Sequence, residues 1–63
     1  MCLSTVYKTD GAQKQMLCKN ISTVTMKDGK YIFTDIMGIP YTYPGKIERI
    51  DLMDNYIYVT DAD

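Results

Sequence analysis

The sequence contains no histidine and no tryptophan. Without histidine it lacks the side chain that most often serves as general base and as metal ligand near neutral pH. No nucleophile–base pair can be assembled from what remains, so the chain reads as a protein that is not an enzyme. Its apolar runs are only a few residues long, whereas a helix across a bilayer needs about 20, so no membrane partner is expected. No basic segment followed by an apolar one precedes Leu3, and a secretory signal is therefore not expected either. Positive charge is not in excess. Seven Lys and Arg face eight Asp and Glu, a net charge of −1, which argues against a protein that coats nucleic acid. Two cysteines, Cys2 and Cys18, are too few for the disulfide scaffold of a secreted mini-protein. The expectation is a reduced, cytoplasmic chain.

What is present is a dense alternation of turn signals and β-formers. Asp10-Gly11 and Asp28-Gly29 are hairpin dipeptides, Pro44-Gly45 suits the centre of a type II turn, and Gly38 and Asp54-Asn55 interrupt two further segments. Between them lie stretches rich in Val, Ile, Thr and Tyr, residues that fit a pleated surface. Strands are expected over 2–8, 21–27, 30–35, 39–43, 46–53 and 56–60. The Ile47 to Ile50 step breaks strict alternation and implies a bulge or a bend from one side of a barrel to the next. The stretch 12–20 (AQKQMLCKN) holds helix formers but is short, and is read as a continuation of the strand that follows. Six short strands in 63 residues make residues 1–63 a single all-β domain, a small, strongly bent antiparallel barrel. The expected core is Leu3 or Val6, Leu17, Ile21, Val24, Ile32, Phe33, Ile36, Ile39, Ile47, Ile50, Leu52, Ile57 and Val59. A core this thin favours a homodimer that covers an exposed edge or patch.

Cys2 carries the most chemical information. A thiolate one residue from an α-amine can close chelate rings on one ion, through the Met1 N-terminal amine, the Cys2 amide nitrogen and the Cys2 sulfur. Thiolate and nitrogen donors in a plane suit Ni(II) or Cu(II), whereas Zn(II) prefers a tetrahedron. One chain lacks the ligands for four-coordination, but two chains meeting at their first strands would supply them, one ion per dimer. The competing reading is a small apolar residue packed on the first strand.

The opening Met1-Cys2-Leu3-Ser4-Thr5-Val6-Tyr7 resembles the start of the CooT-type proteins, nickel-binding accessory factors of carbon monoxide dehydrogenase maturation. The resemblance continues through ISTVTMKDGKYIFTD (21–35) and GKIERIDLMDNYIYV (45–59), and so covers almost the whole chain. It implies an SH3-like or Sm-like barrel, a homodimer, and Ni(II) bound by Cys2 with the Met1 amine as a second donor. The implied partner is the precursor of a nickel enzyme such as carbon monoxide dehydrogenase. Ser4 stands where the family often has Ala, and Cys18 falls outside the family motif.

Other residues offer less. Cys18 has no second ligand nearby and reads as a small buried hydrophobe. Tyr41 and Tyr43 share a strand face, as do Tyr56 and Tyr58, and such rings either stack on unpaired bases or pack at an interface. An RNA-binding or protein-interaction barrel using Tyr56 and Tyr58, with no metal role, is therefore the alternative function. Glu48, Asp51 and Asp54 read as solvated charges, and Met16, Met26, Met37 and Met53 as gap-fillers.

Overall fold

The structure is a computed structural model and describes residues 2–62. Six strands form one sheet: β1 (Ser4–Asp10), β2 (Gln13–Lys27), β3 (Lys30–Asp35), β4 (Pro40–Tyr43), β5 (Lys46–Asp51) and β6 (Tyr56–Thr60). Their spatial order is β4-β3-β2-β1-β6-β5. The sheet curls into a half-barrel of 30 × 28 × 16 Å, and β4 and β5 lie at its two edges. Four of the five strand pairs are antiparallel, as the hairpin signals require. The exception is β1 against β6, which run parallel, with Val6 beside Ile57 and Lys8 beside Val59. The expectation of a wholly antiparallel barrel is corrected at that one pair.

Local chemistry explains the turns. Asp28 and Gly29 both have positive φ, at 54° and 76°, the pattern a type I′ hairpin turn demands. The stretch 12–20 is strand and not helix, because it completes a 15-residue β2 that serves two partners. Its first part pairs with β1 and its last with β3. Asn20, at φ 60°, bends β2 between them, and register shifts flank the bend. Asn tolerates the left-handed region better than most residues. Pro44-Gly45 is not a type II turn, since Gly45 is not among the residues with positive φ. Gly45 is instead a close approach. A Cβ there would run into the Thr60 carbonyl oxygen and the Tyr43 ring.

The core is smaller than expected. Val6, Cys18, Ile21, Phe33, Ile57 and Val59 are buried, with Tyr31, Tyr43 and Ile47 packed against them. In β6, Ile57 and Val59 are buried while the alternating Tyr56, Tyr58 and Thr60 are half-buried, as a period of two dictates. The bulge in β5 is present, as a register shift between Ile47 and Arg49. Leu17, Val24, Ile36, Ile39, Ile50 and Leu52 are exposed, contrary to expectation, and Leu3 and Ile32 are half-buried. An open half-barrel has one enclosed interior, and only the central part of each strand reaches it. Cys18 takes one of those interior places because it lies opposite Val6 across β1–β2.

Candidate functional site

Cys2 precedes β1 by two residues and is exposed. Its neighbours follow from register. Ser4 lies opposite Ile21, and Ile21 opposite Asp35 at the end of β3. On the other side Thr5 lies beside Tyr56, and Tyr56 opposite Asp51 at the end of β5. The Thr5 N–H donates to the Asn55 carbonyl at 2.9 Å. Residue 2, the turn after β3 and the turn after β5 therefore share one rim of the half-barrel.

Those two turns are built the same way. Asp35 Oδ1 accepts the backbone N–H groups of Met37 (2.9 Å) and Ile39 (3.0 Å). The Gly38 N–H donates to the Asp35 carbonyl at 2.9 Å, with Gly38 at φ 85°. Asp51 Oδ1 accepts from Met53 (3.1 Å) and Asp54 (3.0 Å), and Arg49 reaches Asp51 Oδ2 at 3.2 Å. These N–H groups, the Asp54 donor foremost, hold the Asp51 carboxyl below the usual range, with Arg49 adding to the effect and desolvation opposing it. Asp51 is thus a turn staple and not a solvated charge, its side chain only 17% exposed. Each staple carries an aliphatic–Met pair outward: Ile36 (57% exposed) with Met37 (81%), and Leu52 (82%) with Met53 (92%). Met37 and Met53 fill no gap in the core. Sequence reading missed this pairing, although its signal is there. Asp-Ile-Met-Gly (35–38) and Asp-Leu-Met-Asp (51–54) are similar short patterns, in which an Asp bonds the backbone two and four residues on in the first and two and three residues on in the second.

Among the described residues no three His, Cys, Asp or Glu side chains gather where they could hold a metal ion. Within one chain Cys2 offers its sulfur and backbone nitrogen, and the Met1 amine lies outside the described residues. The two thiols differ sharply. Cys18 is 7% exposed, and burial, with the Asp35 charge as a lesser cause, pushes its thiol up. It therefore stays protonated and is a poor ligand.

The tyrosines do not form two equivalent pairs. Tyr43 is half-buried, with its hydroxyl enclosed and without a hydrogen-bond partner, while Tyr41 is 40% exposed. On the outer face Tyr7, Tyr56 and Tyr58 pack together, with ring centroids 5.5 Å (Tyr7–Tyr56), 6.3 Å (Tyr7–Tyr58) and 6.0 Å (Tyr56–Tyr58) apart. Lys14 Nζ and Arg49 Cζ stand 5.0 and 5.7 Å from the Tyr58 centroid, within cation–π range. Glu48 accepts a hydrogen bond from the Thr9 hydroxyl beside them, at 3.1 Å.

The sequence pattern of the family described as CO dehydrogenase accessory protein CooT matches residues 1–60. The chain belongs to the CooT family. Its accessory role is to carbon monoxide dehydrogenase, a nickel enzyme. The fold agrees with a crystal structure assigned to CooT from Carboxydothermus hydrogenoformans, with a TM-score of 0.89 at 18% identity. That comparison covers 98% of this chain and 100% of the other. No curated protein matches the chain. The CooT match begins at residue 1 and so includes Cys2.

Proposed function

We propose that this CooT-family protein is a cytoplasmic, nickel-binding homodimer that holds Ni(II), as cargo, for the maturation of a nickel enzyme such as carbon monoxide dehydrogenase. It carries out no catalysis of its own. The observation that supports this most is the exposed thiol of Cys2 at the open rim, ahead of the first strand, inside the segment that matches the family. The donor set fits the ion. A thiolate with an adjacent backbone nitrogen, and the Met1 amine, favours the planar geometry of Ni(II). A second Cys2 from the partner subunit supplies what one chain lacks. Both thiols must lose their protons on binding, so affinity falls as pH falls.

The test is a titration of the intact protein with Ni(II), followed by thiolate-to-metal absorption and native mass. One ion per two chains is expected, lost in Cys2→Ser and kept in Cys18→Ser. Undiminished binding by Cys2→Ser would overturn the assignment.

A further inference from the structure

Among the described strands, β4 and β5 each have a neighbour on one side alone. The two edges differ. β5 carries Lys46, Glu48, Arg49 and Asp51, and a register shift falls between Ile47 and Arg49. Charges and bulges are the devices that keep an edge strand from pairing outward. β4 (Pro40–Tyr43) has no charged residue and no register shift against β3, and its first three residues are exposed. Which of its backbone groups are free follows from alternation. The Asp35 N–H donates to the Ile39 carbonyl at 3.0 Å. In steps of two along the ladder, Phe33–Tyr41 and Tyr31–Tyr43 are then the bonded pairs. The Thr42 N–H, the Thr42 carbonyl and the Pro40 carbonyl therefore face away from β3. Proline suits that place, since no ladder bond is asked of its nitrogen.

Beside this edge lies a cavity of about 360 Å³. Tyr41 and Tyr43 of β4 line it, with Phe33 of β3 and with Leu17 and Cys18 of β2. The register shift between Val6 and Tyr7 leaves Leu17 without a partner in β1. As a bulge permits, Leu17 and its neighbour Cys18 both reach the cavity. Lys8 also lines it, and the Lys8 ammonium is held by Asp61 at 2.9 Å.

We infer that β4 is a docking edge for an extended segment of a partner protein, which adds as a further strand and places alternate apolar side chains in this cavity. The free Thr42 and Pro40 groups stand at strand spacing, and such a row is matched by another backbone rather than by a small molecule. Every second side chain of the added strand falls on the face that carries Tyr41 and Tyr43, above the cavity. Charge selects what those side chains are. Asp61 already answers the Lys8 ammonium, so the cavity offers an acidic side chain no free cation and suits an apolar one. A second copy of this chain is the poorer occupant. Its β4 would bring Tyr41 and Tyr43, and Tyr43 is already packed against its own core. The inference stands apart from the metal reading, since it uses no atom of Cys2.

The test uses the full chain and short fluorescein-labelled peptides in which Val, Leu or Phe alternates with Thr. Each is paired with a control of the same composition whose apolar residues are contiguous. Anisotropy titration is expected to show binding of an alternating peptide and not of its control. Thr42→Pro removes the outward N–H while leaving the β3–β4 bonds in place, and weakens binding about tenfold or more. Leu17→Glu sets a carboxylate in the cavity and weakens binding likewise. Met53→Glu, 92% exposed in the turn after β5, leaves it unchanged. Circular dichroism confirms that each variant keeps its β-structure. Amide exchange of the wild-type chain gives a reading that needs no variant: the Thr42 N–H exchanges freely alone and is protected with peptide bound. Absence of binding across the set, equal binding of alternating and contiguous peptides, full binding by Thr42→Pro, or an unprotected Thr42 N–H would each overturn the inference. Sedimentation tests the other occupant. A lower mass for Thr42→Pro than for wild type would assign the edge to a second copy, and the inference would fall.

Discussion

Asp35 and Asp51 are equivalent in function although they sit 16 positions apart and on different strands. Each ends its strand, and each turns one carboxylate oxygen onto two backbone N–H groups of the turn that follows. Removing either staple by substitution with Ala frees those N–H groups. The expected result for Asp51→Ala is a melting temperature lower by about 5 °C, read by circular dichroism.

The same staple predicts a pH dependence. The Asp51 carboxyl is held below its usual range in the folded chain, so its contribution is present above the ordinary carboxylate pKa near 4. It is lost as pH falls through the lower, folded-state value. Melting curves of wild type and Asp51→Ala should therefore differ at pH 7 and converge in strong acid. A constant gap down to pH 2 would mean that the carboxylate charge plays no part.

Tyr43 makes the opposite prediction. Its hydroxyl is enclosed and lacks a partner, and an unmade hydrogen bond of this kind costs about 1–3 kcal/mol. Tyr43→Phe should leave stability unchanged or raise it by about 1 kcal/mol, measured by urea unfolding. A clear loss of stability would show that the hydroxyl has a partner in solution.

Gly45 is buried against Thr60 and the Tyr43 ring, and the Tyr43 Cζ would lie 2.9 Å from an added Cβ. Gly45→Ala forces either the β4–β5 connection or the end of β6 to move. Overpacking of this kind costs about 1–3 kcal/mol, and the expected readout is a lower urea midpoint. Gly29→Ala tests another property, the positive φ of a hairpin turn with open space around it, and strains the turn without a clash.

Much of this architecture is written locally. The Asp28-Gly29 turn, the closing strand with its alternating Ile57 and Val59, and the bulge after Ile47 each follow from a few adjacent residues. The exposed Ile36, Ile39, Ile50 and Leu52 were not legible in the same way. Hydropathy marks them as interior, and only the openness of the half-barrel, a property of all six strands together, leaves them outside. The parallel β1–β6 pair was likewise hidden, since no turn signal connects segments whose paired residues are 51 positions apart. Of the candidate site, Cys2 was proposed from its chemistry and from its place in the opening motif, and the structure adds that it is exposed. The stapled turns around it were not, because an Asp before Ile-Met or Leu-Met looks like an ordinary surface charge until its carboxylate is seen to face its own backbone.

The parallel alignment of the first and last strands fixes where the chain can be extended. Both run away from the Cys2 rim, so Thr60 leaves the sheet at the far end, beside the β1–β2 hairpin at Gly11. A fusion or surface tether attached after residue 60 emerges well clear of the thiol. An addition ahead of residue 2 would instead lie on the rim where the exposed Cys2 stands, and under the proposed function it would crowd the ion.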